Sequence, residues 1–79
     1  MQLAAARVDF LLSTLNATDV GTLESIRAKL QQVRDELLGL DHEDLARRAS
    51  QTIEALERGD VAEFKRGRAF LQSKIGHLR

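Results

Sequence analysis

The densest run of chemically capable side chains is Asp41-His42-Glu43-Asp44. Carboxylates beside a histidine can hold a hard divalent ion, and a histidine among acids titrates near neutral pH. Spacing argues against both uses. Four consecutive residues at a helix start point in different directions, and no second histidine follows four residues on, as a zinc-binding helix requires. An acidic first turn has a simpler purpose, because it complements the positive end of a helix dipole. The expectation is no metal and no other cofactor.

Nucleophilic chemistry fares no better. Ser13, Ser25, Ser50 and Ser73 all sit in helical patterns, without the glycine-flanked turn that exposes a catalytic serine. The five glycines are dispersed rather than gathered into a phosphate-cradling loop. With two histidines and no cysteine, tyrosine or tryptophan, little material is left for an active site. The chain reads as having no catalytic residues and no small-molecule substrate, and so as not an enzyme.

The basic C-terminal stretch is the third candidate. After Glu63 there is no acid, while Lys65, Arg66, Arg68, Lys74 and Arg79 bring five positive charges, with His77 besides. Lys65, Arg66, Lys74 and Arg79 would carry the contacts of a small nucleic-acid-binding regulator. At 100° per residue, however, these cations spread around the helix rather than along one side. No aromatic stacking platform accompanies them, and cations late in a helix suit its dipole in any case. Nucleic acid is therefore the second reading.

The elements that position these residues follow from composition. Proline is absent, and alanine, leucine, glutamate, glutamine and arginine dominate, which is the make-up of helices. The 79 residues allow one domain over 1–79, and one of this size buries only about 60% of its unfolded surface. Twelve basic and twelve acidic residues cancel, leaving no net field to draw the chain to nucleic acid or anionic lipid. No apolar run is long enough for a membrane span, and no secretory leader is legible, so a cytoplasmic protein is expected.

Turn signals divide the chain into four helices, about Gln2 to Leu15, Leu23 to Leu38, Glu43 to Arg58, and Val61 to Ile75. Gly39 and Gly59 are placed to be left-handed C-terminal residues. Asp41 stands where it could cap the third helix, and Asp60-Val61-Ala62-Glu63 has capping-box spacing. The second helix can start at Thr18 or Thr22. Arg58-Gly59-Asp60 leaves so little loop that the last two helices must form a tight hairpin.

Periodicity then assigns the faces. The first helix offers Ala4, Val8, Leu11, Leu12 and Leu15. The second offers a heptad seam of Leu23, Ile26, Leu30, Val33, Leu37 and Leu40. The third offers Leu45, Ala49, Thr52, Ile53 and Leu56, with acid-first pairs Glu43–Arg47, Asp44–Arg48 and Glu54–Arg58 on its outer side. The fourth offers Val61, Phe64, Leu71, Ile75 and Leu78. Gly67 and Arg68 share that apolar face, which predicts close approach of a neighbouring helix at Gly67 and a carboxylate partner for Arg68.

Phe10 lies on the far side of the first helix from Val8 and Leu15, with Leu3 near it. Phe70 lies outside the stripe of Phe64 and Leu71, and Leu38 flanks the second helix's seam. A small, cysteine-free chain with surplus apolar faces gains most by association. The fold class expected is all-α, a small bundle of three to four short antiparallel helices completed by dimerisation. The function expected is a protein–protein interaction module, a homodimer or partner-binding protein, using Leu3, Phe10, Phe70 and Arg66.

Overall fold

The computed structural model describes residues 4–78, so Leu3 and Arg79 lie outside the described residues. Within them the chain forms α1 (Ala5–Asn16), a single 3-10 turn (Ala17–Asp19), α2 (Leu23–Gly39), α3 (Glu43–Glu57) and α4 (Val61–Gly76), with no strand.

Side-chain caps fix two of the starts. The Thr22 hydroxyl accepts the Ser25 N–H at 3.0 Å, so α2 begins there and not at Thr18. Thr18 is buried instead, its hydroxyl donating to the Leu15 carbonyl at 2.6 Å and closing the 3-10 turn. Asp60 Oδ1 accepts the Glu63 N–H at 3.1 Å and caps α4.

Two three-residue turns reverse the chain. At the first, Gly59 is left-handed (φ 78°), the Asp60 N–H donates to the Ala55 carbonyl at 2.9 Å, and the Gly59 N–H donates to Leu56 at 3.2 Å. This is a Schellman motif, and Asp60 both closes it and opens α4. The other turn corrects the sequence expectation. Gly39 stays helical, and Asp41 takes the left-handed position at φ 63°. There the His42 N–H donates to Leu37 at 2.9 Å, and the Asp41 N–H donates to Leu38 at 3.1 Å. Leu40 packs against the core, which carries the helix past Gly39. Asp41 therefore ends α2, and the cap position of α3 falls to His42, whose side chain makes no capping bond.

Consecutive helices are antiparallel. Arg7 of α1 meets Glu36 near the end of α2, whereas Ala17 meets Lys29 nearer its start. Asn16 meets Gln72, and Arg27 meets Glu57 across α2 and α3. Each helix packs against its two neighbours, α4 returning to α1, and among the described residues the backbones of diagonal helices stay farther apart. The bundle measures 34 × 21 × 18 Å.

The core takes Val8, Leu11 and Leu15 from α1, and Leu30, Val33 and Leu37 from α2. α4 contributes Phe64, Leu71 and Ile75. The inner side of α3 is mostly small (Ala46, Ala49, Thr52, Ala55), which lets both neighbouring helices approach closely. The approach is tightest at Gly67, where an added Cβ would overlap the Thr52 hydroxyl and lie 3.1 Å from Thr52 Cβ.

Three residues expected on buried faces depart from expectation. Ala4 precedes α1, which starts at Ala5, and is exposed. Leu23 is 55% and Val61 61% exposed. Both stand in first turns, at the end of the bundle that holds the α3–α4 turn. Asp19, closing the 3-10 turn, pairs with Arg68, so the stretch of α4 before Arg68 runs on past α1. Periodicity gives a side chain's angle around its helix but not its height along the bundle. The acid-first pairs on α3 are also not those formed. Arg47 reaches Asp44 at 3.9 Å, Arg48 reaches Glu63 at 3.2 Å, and Arg58 reaches Asp60 at 3.7 Å.

Candidate interaction surface

Phe10 is 41% exposed on the outer side of α1. With Ala4, Ala6 and Arg7 it lines a shallow depression of about 250 Å³. Its carbonyl accepts the Thr14 hydroxyl at 2.8 Å, and among the described residues no cation stacks on its ring, although Arg7 lines the same depression.

Phe70 is equally open at 42%, but its surroundings differ. The Arg48 guanidinium of α3 lies 5.6 Å from its ring centroid, and Lys74 Nζ lies 5.7 Å away. Arg66, Phe70 and Lys74 follow at intervals of four and form one row along α4. Below the ring, Glu63 joins two arginines. Its Oε1 accepts Arg48 Nη1 at 3.2 Å, and its Oε2 accepts Arg66 Nη2 at 2.8 Å and Nε at 3.1 Å. The Arg66 hydrogen bonds, and then that from Arg48, hold the Glu63 carboxyl below its ordinary pKa. The capping box is consequently half made, because Glu63 gives its N–H to Asp60 while its carboxylate turns to the arginines.

Beside Phe70 opens a cleft of about 530 Å³, lined by residues 41–45, Phe70 and Lys74. Its rim carries three carboxylates, Asp41, Glu43 and Asp44. Among the described residues, no group of three or more histidine, aspartate or glutamate side chains is arranged to hold a metal ion.

Of the residues expected at an interface, the fold brings Phe70 and Arg66 together and leaves Phe10 apart. Phe70 faces the α3 side of α4, whereas Gln72 and Arg68 tie the opposite side to Asn16 and Asp19. The cations considered for nucleic acid are similarly divided. Arg66 is bound to Glu63 and Lys74 lies near Phe70, while Lys65 falls on the side of Arg68 and Gln72. Arg68 has the carboxylate partner expected of it in Asp19, and it also lies 5.5 Å from the Phe64 centroid.

Sequence reasoning missed two features. Arg48 looked like an intrahelical partner for Asp44 but instead links α3 to both Glu63 and Phe70. Val20, in the linker before α2, is 74% exposed and stands at the same end as Leu23 and Val61. No helix among the described residues is long and apolar enough to cross a membrane. Comparison with protein-family models, curated proteins and solved structures finds no match to this chain.

Proposed function

We propose that this chain is a non-enzymatic protein–protein interaction module that offers exposed apolar helix faces to a second copy of itself, to another protein, or to both. The observation that supports the reading is the exposure of two phenylalanines by a bundle whose core is already filled without them. Covering what remains open of each ring is worth about 1 kcal/mol. The division of the basic residues between two sides of α4 gives the nucleic-acid alternative no support.

The test is capture from the native source with four baits: wild type, Phe10→Glu, Phe70→Glu, and Ala28→Glu as a control at an exposed site on α2, the helix beside α1 that carries neither ring. The reading expects a partner, or the chain itself, to be retained by wild type and Ala28→Glu and lost by at least one phenylalanine variant. Circular dichroism should show all four folded. Identical capture by all four baits would end the proposal.

A further inference from the structure

We infer that the α3–α4 side of the bundle is self-complementary and docks a second copy of this chain about a two-fold axis. This deepens the interaction reading above and rests on it.

Size favours a side over an end. The broad side, 34 by 21 Å, offers roughly 700 Å² in projection, near the ~800 Å² per partner of a stable interface. An end, 21 by 18 Å, offers only about half that value. Val20, Leu23 and Val61 are the most open apolar side chains, but they stand on an end and so cannot anchor a stable dimer alone.

Shape then favours α3–α4 among the sides. A two-fold contact uses one patch twice, so that patch must carry both a projection and a recess. Phe70 is the projection, and the 530 Å³ cleft beside it is the recess. Phe10, by contrast, adjoins a depression of about half that size among the described residues.

Charge matches shape. The recess is rimmed by Asp41, Glu43 and Asp44, with Lys74 on its Phe70 side, while Phe70 is flanked by Arg48, Arg66 and Lys74. Rotation by a half turn brings the basic flank of each copy over the acidic rim of the other, so both charge contacts occur twice. The Asp44 side chain is 98% and that of Arg66 70% exposed, so both reach outward despite their links to Arg47 and Glu63.

Light scattering and native mass spectrometry over a dilution series of the full chain test this. Wild type should dimerise, and Phe70→Ala should weaken the dimer about tenfold or more, as expected for a central aromatic anchor. Phe10→Ala should leave it unchanged. Asp44→Lys and Arg66→Glu should each weaken self-association, because like charges then meet twice. Mixed in equal amounts, these two variants should form a heterodimer in which both contacts again join opposite charges. Both substitutions are at exposed positions, and thermal melts confirm that each variant folds.

A mixture that associates no better than its separate components would overturn the inference. So would a dimer lost in Phe10→Ala and intact in Phe70→Ala, although the interaction reading would then survive. Wild type that stays monomeric up to about 1 mM, the regime of very weak binding, refutes self-docking and leaves the wider reading to the capture experiment.

Discussion

Replacing Gly67 by alanine sets two effects of known size against each other. Glycine inside a helix is about 1 kcal/mol less favourable than alanine, so propensity alone makes Gly67→Ala stabilising. Packing opposes it. The new Cβ would overlap the Thr52 hydroxyl and lie 3.1 Å from Thr52 Cβ and 3.2 Å from Cγ2. Thr52 is fully buried and β-branched, and its hydroxyl donates to the Arg48 carbonyl at 2.9 Å. Either the helices separate, an overpacking cost of about 1–3 kcal/mol, or Thr52 rotates and strands a buried hydroxyl at a similar cost of ~1–3 kcal/mol.

These terms leave a net loss of up to about 2 kcal/mol, or up to roughly 16 °C in Tm at 4–8 °C per kcal/mol. Thermal and urea melts with an unchanged urea slope would measure it. Thr52→Ala in the same chain removes the obstruction. The double variant should be more stable than Gly67→Ala alone, with a coupling of about 1 kcal/mol or more. A Gly67→Ala protein that melts higher than wild type would refute the close approach of α3 and α4.

The remaining predictions concern the turns and Glu63. Asp41→Gly should raise Tm by about 4–8 °C, because it removes roughly 1 kcal/mol of left-handed strain from a non-glycine residue. Gly39→Ala should add about 0.5–1 kcal/mol to stability in the same melts, since Gly39 is helical and nothing lies within 4 Å of the added methyl. Glu63 has a folded pKa below its unfolded value, so its stabilising effect is complete above the unfolded value and disappears as pH falls through the folded one. Wild type should therefore exceed Glu63→Gln in Tm at neutral pH, and the gap should close on acidification below the ordinary carboxylate range. A gap that persists unchanged in strong acid would show that the Arg48–Glu63–Arg66 link does not stabilise the bundle through charge.

Helix number and most helix ends were legible because the turn chemistry is local, whereas α1 starts at Ala5 with no side-chain cap to mark it. Gly59 and Asp60 meet the needs of a Schellman end and a cap within two adjacent residues, and both take those roles. The Gly39 turn misled because two devices competed there. Glycine was available for the left-handed position, but partial burial of Leu40 kept the helix going, and aspartate tolerates that conformation well enough to replace it. Phe10 and Phe70 were legible as outliers since angle alone separates them from their stripes. Leu23 and Val61 were not, because their angles are those of core residues and only their height leaves them open. The pairing of Arg48 was illegible for a related reason: Asp44 at i−4 is fully solvated, whereas Glu63 on α4 is a sheltered carboxylate visible only in three dimensions.

That last pairing separates the two phenylalanines, which sequence treats alike. An exposed ring that must be immobilised on binding loses about 0.5–1.5 kcal/mol of the contact to ordering. Phe70 has cations from two helices within 6 Å of its ring, one of them fixed by Glu63, so much of that ordering is met before any partner arrives. Among the described residues, no cation stacks on Phe10. Equal exposure therefore does not imply equal use, and under the proposed self-docking the ring already held in place is the better anchor. If Glu63→Gln loosens Arg48, it should weaken self-association as well as stability while altering no residue that itself projects from the patch.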